Sequence, residues 1–221
     1  MSADLTHIDV WLFDLDNTLY PVESEVMTLV EGRMTDFMEK ITGLPRDEAR
    51  AIQKSYYHNH GTTLAGLMQH HGIDPEDFLT EVHDISLDAL APDPELTAGL
   101  ERLPGRRLVF TNGSAAHAER VLERMQIAHA FEDIFHIASA DYIPKPSPVT
   151  FEKMAARHDV DPRRTAFFED SEKNLAPAAA LGMTTVLVGP HAAGSTAPFV
   201  HHRTHRLAGF LQGARVRRTA P

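Results

Sequence analysis

No cysteine occurs among the 221 residues, which excludes disulfides, thiolate catalysis and cysteine-ligated zinc or iron–sulfur centres. Long hydrophobic runs are also missing. The longest stretch without a formal charge, residues 174–202, is broken by Pro177, Pro190 and Pro198, so it cannot form a continuous spanning helix. Residues 1–9 lack the basic and apolar regions of an export signal, and the expectation is a cytoplasmic protein that does not engage membranes. Basic residues are scarce: 21 Lys and Arg against 31 Asp and Glu give a net charge of −10, which argues against nucleic acid polymers as partners. What remains is ordinary globular material. With 43% apolar and 24% charged residues, the chain can bury a core as one domain or as a medium domain carrying an insert. Basic charge gathers only from Phe199 onward, where five arginines and no acid occur; these are read as a solvated helix face or a frayed end rather than a nucleic-acid arm.

Short apolar runs at Ile8–Phe13, Leu108–Phe110, Ile134–Ala138, Ala166–Phe168 and Thr184–Val188 are too short for helices and read as five strands. Helical patterns lie between them. Ser114 opens Ala115–Met125, Ser147-Pro148 opens Val149–His158, and Ser171 opens a segment closed by Gly182. This alternation predicts an α/β fold, a doubly wound parallel sheet with its ligand crevice outside the carboxyl ends of the strands. From Thr111 to Lys145 and from there to Glu169 the spacing suits single crossovers, whereas Asp14 to Thr111 spans 97 residues. That long gap reads as helical at Glu23–Thr42, Asp47–Tyr57, Thr63–His71 and Asp74–Asp84. The expected division is therefore a core of residues 1–20 and 91–221 with a helical insert, residues 21–90, after the first strand.

The first strand ends in Asp14-Leu15-Asp16, two like charges beside apolar residues, which is unfavourable unless a cation compensates. By itself such a pair could be a strand terminus and a helix cap. Three further clusters arrive at later strand ends: Thr111-Asn112-Gly113, Lys145-Pro146 and Glu169-Asp170. Each alone has a plain reading, as a turn, a surface lysine or an acidic cap. Together they converge on one crevice, and adjacent acids after an apolar strand again favour a cation.

These four clusters, in this order over nearly the whole chain, resemble the haloacid dehalogenase superfamily of hydrolases. The resemblance implies that Asp14 is the nucleophile and Asp16 the general acid and base of a phosphatase, a residue the superfamily's dehalogenases lack. It implies Mg²⁺ as cofactor, held by Asp14, the Asp16 backbone carbonyl and Asp170, with Glu169 close or ligating through water. Lys145 would bridge nucleophile and phosphate, while the Thr111 hydroxyl and the Asn112 backbone N–H would cradle the phosphate oxygens. Asn174 stands where the family often has a supporting polar group. The insert resembles the family's cap domain, and three segments, residues 16–21, 57–67 and 168–171, are similar to pyrimidine 5′-nucleotidase-like members. One departure is Asn17, where commoner relatives carry glycine.

The resemblance implies a small phosphorylated substrate, a nucleoside monophosphate such as UMP or CMP, handled by a monomer or homodimer. Tyr57, His60 and Thr63 are the candidate selectivity residues of the insert, although this stretch of aromatics and histidines could equally finish a helix and pack its turn. Alternatives are a phosphatase or phosphomutase for sugar phosphates, phosphoglycolate or pyridoxal phosphate, and a non-catalytic binding module. The pairs His70-His71 and His201-His202 read as surface residues, because adjacent side chains point apart.

Overall fold

The computed structural model describes residues 2–217. Six parallel strands, β1 (Val10–Phe13), β2 (Arg106–Phe110), β3 (Asp133–Phe135), β4 (Thr165–Glu169), β5 (Thr184–Val188) and β6 (His202–Thr204), form one sheet in the order β3-β2-β1-β4-β5-β6. The chain winds outward from β1 in both directions, so β1 and β4 flank the point where the strand order reverses. At such a point the crossovers diverge and leave a crevice beyond the strand ends.

Alternation along β1 explains the two-sided burial. Trp11 and Phe13 enter one apolar layer with Val109, Phe168 and Val186. Val10 and Leu12 enter the other with Leu108, Phe110, Phe167 and Leu187. Phe13 and Phe168 stack with ring centroids 4.7 Å apart, and Trp11 Nε1 donates to the Pro104 carbonyl at 2.7 Å, so the buried indole leaves no polar atom stranded. Helices α5 (Pro94–Glu101), α6 (Ala115–Arg124), α7 (Pro148–His158), α8 (Glu172–Ala180) and α9 (Leu207–Gly213) complete this part of the molecule. Asp93 and Ser114 accept backbone N–H bonds at the starts of α5 and α6, the latter as its sequence signal predicts.

Between β1 and α5 run α1 (Val26–Thr42), α2 (Arg46–His60), α3 (Thr63–His71) and α4 (Pro75–Val82). They pack around a separate apolar cluster that includes Phe37, Leu64, Leu67, Phe78 and Val82, with Phe37 and Phe78 edge to face at 5.2 Å. Helices α2 and α3 meet closely at Gly66, where a Cβ would lie 2.3 Å from a Tyr56 ring carbon. Hydrogen bonds from Arg120 to the His83 and Ile85 carbonyls tie the return segment onto α6.

Several sequence expectations are corrected. There is a sixth strand, β6, because backbone pairing to β5 suffices for three polar residues at a sheet edge. The segment expected as strand at Ile134–Ala138 divides into β3 and a 3-10 turn at Ile137–Ala140. The first insert helix starts at Val26, since Glu25 takes a left-handed conformation after a 3-10 turn. The carboxyl-terminal arginines form no helix face and no frayed end within the described residues. Arg203 lies in β6, Arg206 faces Asp93 and Glu95, Arg215 faces Asp4, and Arg217 pairs with Asp9. Local acids from the amino-terminal segment and α5 draw them in. The fifth arginine, residue 218, falls outside the described residues. Among the described residues no helix is long and apolar enough to cross a membrane.

Candidate active site

Parallel pairing places the ends of β1, β2 and β4 side by side, with Phe13 in register with Val109 and Phe168. The chain beyond Phe13 therefore emerges between Phe110 and Glu169. The Asp14 N–H still donates to the Phe168 carbonyl at 2.9 Å, which fixes the Asp14 backbone. Asp14 is buried, and its Oδ1 accepts from Lys145 Nζ at 2.7 Å. The same ammonium donates to Glu169 Oε2 at 2.9 Å and to the Phe110 carbonyl at 2.7 Å, so all three of its protons are used. Lys145 is 1% exposed, which removes the surface-lysine alternative. Its ammonium stands over the rings of Phe110 and Phe167, with Nζ 4.9 and 5.3 Å from their centroids.

The loop that delivers Lys145 is held by Asn112. Its amide accepts from the Lys145 N–H at 2.8 Å and donates to the Lys145 carbonyl at 3.2 Å. Thr111 is buried, and its Oγ1 accepts from the Gly113 N–H at 2.8 Å while keeping its own proton to give. Thr18 donates to Asp14 Oδ2 at 3.2 Å. Asn17 has φ of 59°, a left-handed value that glycine takes freely and asparagine tolerates, so the departure from glycine preserves the turn.

Carboxylate oxygens of Asp14, Glu169 and Asp170 lie within 4.8 Å of one another, the one acidic or histidine cluster among the described residues with the spacing of a metal site. One lysine cannot balance them. Burial first, and then the Glu169 charge, push Asp14 up to about 7; burial with the charges of Glu169 and Asp14 pushes Asp170 up to about 9. Groups that cling to protons in this way are short of positive charge, and an oxygen-only donor set suits a hard divalent ion such as Mg²⁺. Glu169 has commitments of its own. Oε2 accepts from Lys145 and Oε1 from the Ser171 N–H at 3.1 Å, which makes it an anchor for Lys145 as well as a neighbour of any cation. Asn174, on the first turn of α8, is buried with Oδ1 unpaired among the described residues.

Asp16 is bonded differently from Asp14. His117 Nε2 lies 2.9 Å and Tyr20 Oη 2.5 Å from its Oδ1. Burial alone would raise this carboxyl, but the His117 and Tyr20 contacts outweigh it and hold Asp16 below the ordinary carboxylate range. Asp16, Asn112 and Gly113 border a cavity of about 260 Å³ that opens toward the insert. Met27, Val30, Met34, Leu64 and Phe78 supply apolar wall, and Arg50, Gln53, Lys54 and Tyr57 supply polar edge. Asp14 and Lys145 are not on that wall; the Asp14 side chain is 9% exposed.

The insert candidates separate. Thr63 and Tyr57 line the cavity, and Lys173 Nζ sits 3.7 Å from the Tyr57 ring centroid, joining α2 to α8. His60 is outside the lining, because its Nε2 turns to His70 Nε2 at 3.1 Å. His70 and His71 are exposed as expected, but rather than pointing apart both meet Tyr56: His70 stacks on its ring with centroids 5.1 Å apart, and His71 Nε2 lies 2.9 Å from Tyr56 Oη. Sequence reasoning gave no role to His117, Tyr20, Thr18 or His83. Tyr20 and Thr18 each stand four positions beyond the aspartate they bond, a spacing that could have indicated them; His117 is 101 residues from Asp16 and carries no such signal.

The sequence pattern of haloacid dehalogenase-like hydrolases matches residues 8–182. The chain belongs to that hydrolase family. Among curated relatives it is 30% identical over 194 residues to Phosphate metabolism protein 8 of Saccharomyces cerevisiae, covering 80% of this chain and 60% of that one. Fructose-1-phosphate phosphatase YqaB of Escherichia coli is 32% identical over 122 residues, covering 52% of this chain and 63% of the relative. The chain thus spans less than two thirds of either relative's length. Among solved structures, YfnB from Bacillus subtilis bound to magnesium superposes with a TM-score of 0.60 at 14% identity, covering 93% of this chain and 97% of that one, a likeness of fold. The observed sheet and the family membership agree with the α/β reading of the sequence.

Proposed function

We propose that this hydrolase is a Mg²⁺-dependent phosphomonoesterase that forms an aspartyl-phosphate on Asp14 and acts on nucleoside monophosphates, pyrimidine ones foremost. The observation that carries the reading is the buried Lys145 ammonium shared by Asp14 and Glu169, with Asp16 two residues on at the floor of a cavity. A phosphate ester brings negative charge to a carboxylate, so attack requires that positive charge be in place beforehand. Lys145 supplies one such charge. Asp14 and Asp170, with the Asp16 carbonyl and Glu169 nearby, would hold Mg²⁺, which when bound supplies the rest of the charge neutralisation. The magnesium bound by the fold relative YfnB is consistent with this.

Asp14 then attacks phosphorus while Lys145 keeps Oδ1 oriented. Thr111 donates its free hydroxyl proton to a phosphate oxygen, joined by the Asn112 N–H. Asp16 gives a proton to the departing alcohol and afterwards takes one from the water that hydrolyses the acyl phosphate. Ionised in the free molecule, Asp16 takes that proton from solvent as the phosphate's negative charge raises its proton affinity, and returns the proton gained from water to solvent when product leaves. Residues 21–90 act as the cap over this chemistry, with Tyr57 and Thr63 touching the leaving group and His60 supporting α3 from outside the cavity.

The cavity wall supports this substrate class. Methionine, leucine and phenylalanine side chains match the face of a heterocycle, and Arg50, Gln53 and Lys54 can meet its polar edges. A second reading, a sugar phosphatase, draws on the printed activity of YqaB. The test is release of phosphate from UMP, CMP, AMP and fructose 1-phosphate at equal concentration with Mg²⁺. Faster release from UMP and CMP supports the nucleotidase reading; release from fructose 1-phosphate at the same or greater rate sinks it and leaves the phosphatase chemistry standing.

A further inference from the structure

We infer that His117, braced by His83, is the positioning residue for Asp16. Its bond and that of Tyr20 fix Oδ1 as the anchored oxygen and leave Oδ2 as the oxygen that exchanges protons with the leaving group. The inference rests on the phosphatase reading and concerns residues to which neither the family motifs nor the sequence assigns a part.

Both contacts reach the same oxygen. His117 Nε2 stands 2.9 Å and Tyr20 Oη 2.5 Å from Asp16 Oδ1, and among the described residues nothing bonds Oδ2. Oδ2 faces Gly113, close enough that a Cβ on residue 113 would sit 3.8 Å away, on the lining of the cavity. A carboxylic acid anchored through one oxygen presents its proton from the other. Two donors on Oδ1 thus decide which oxygen faces the substrate, and they remain compatible with a proton on Oδ2, because the carbonyl oxygen of the neutral acid still accepts.

The ring of His117 is an unusual choice for this place if packing were its only duty. It lies on the inner face of α6 beside Ala118, Val121 and Leu122, its side chain is fully buried, and its Nδ1 has no partner among the described residues. An apolar side chain there would fill the space without leaving a buried ring nitrogen unbonded. Among the described residues, the one polar contact the ring makes is with Asp16. With a single hydrogen bond the ring could still pivot about it, and His83 removes that freedom: the two imidazoles stack at 4.3 Å with 9° between planes. His83 closes α4, borders the substrate cavity, and is held by Ser114 Oγ at 3.0 Å from its Nδ1. Ser114 Oγ also accepts from the His117 backbone N–H at 3.2 Å, so one hydroxyl links His83 to the first turn of α6. A chain of contacts thus runs from the last insert helix through His83 and His117 to Asp16.

The experiment compares kcat/KM for an alkyl phosphomonoester, whose alkoxide needs a proton to leave, with that for p-nitrophenyl phosphate, whose phenolate leaves without one. Both are measured with Mg²⁺ in the full-length wild type, His117→Leu, His117→Gln and His83→Ala. Because kcat/KM reports steps up to loss of the alcohol, displacing Asp16 is expected to cost the alkyl ester at least about tenfold more than the nitrophenyl ester in His117→Leu and His83→Ala. His117→Gln, which keeps a donor at the place of Nε2, recovers most of that difference. Should His117→Leu fail to fold, the contrast between His117→Gln and His83→Ala carries the same comparison. Equal losses on both esters, or no loss on either, would overturn the positioning role while leaving the phosphatase reading intact. A wild type that hydrolyses neither ester with Mg²⁺ overturns both.

Discussion

Lys145 and Asp14 form a buried ion pair at 2.7 Å, although 131 residues separate them in the chain. Every proton of the ammonium is spent on an oxygen, and one further carboxylate, Glu169, shares it. Removing the lysine strands two acids in a place water scarcely reaches. Lys145→Met is expected to lower turnover by roughly 10³-fold and to destabilise the fold by about 3 kcal/mol at pH 8. The loss should shrink at pH 5, where Asp14 can neutralise itself by taking a proton. Thermal melts at the two pH values, alongside initial rates, check both halves.

A second prediction concerns protons and magnesium together. In the unfolded chain Asp14 and Asp170 ionise near 3.8, whereas in the folded metal-free protein they keep protons up to about 7 and about 9. The folded state therefore binds more protons across that window, and these two groups make stability fall as pH rises from about 4 toward 9. Mg²⁺ offsets the same crowding of carboxylates, so its stabilising effect should grow with pH. Its binding should also release protons near neutrality, read by calorimetry in buffers of different ionisation enthalpy. An Mg²⁺ effect on melting temperature that is the same at pH 5 and pH 8 contradicts this.

The turn at Gly105 is tested by stability alone. Its φ is 84°, and a Cβ there would lie 2.1 Å from the Asp9 carbonyl oxygen, which accepts the Arg106 N–H that begins β2. Backbone cannot yield as a flexible side chain would. Gly105→Ala should cost about 2–4 kcal/mol in denaturant unfolding, with no direct effect on the site.

How much of this was legible beforehand depends on where each signal lies. The strand ends announced themselves because each joins an apolar run to a polar cluster within a few residues, as in Phe13-Asp14 and Phe168-Glu169. The 97-residue gap after Asp14 announced the insert helices, and Asp74 and Asp93, each followed by proline, cap helices. Strand β6 was illegible because His202-Arg203-Thr204 has neither apolar content nor alternation, and its pairing to β5 uses backbone groups that every residue has. The arginines beyond it were misread for a related reason: their acids, Asp4, Asp9, Asp93 and Glu95, lie more than 100 residues upstream. Asp16's partner His117 is the same case inside the site, since a lone histidine on a helix has many commoner explanations than an aspartate from another strand end.

The contact between Tyr57 and Lys173 offers a handle on the insert. Tyr57 is 43% exposed, yet its ring carries the Lys173 ammonium from α8 at 3.7 Å. Tyr57→Ala is expected to raise KM for nucleoside monophosphates several-fold and to lower the melting temperature by no more than about 4 °C, because an exposed cation–π contact contributes only about 0.5–1 kcal/mol. Steady-state kinetics on UMP with a parallel melt separates the two effects.

The most direct measurement is acid quenching of the enzyme during turnover of a phosphomonoester with Mg²⁺, followed by mass mapping of its peptides. A phosphoryl group on the peptide that contains Asp14, absent in Asp14→Asn together with all turnover, is the predicted result. Turnover that proceeds with that peptide unmodified, or that survives in Asp14→Asn, would contradict the account.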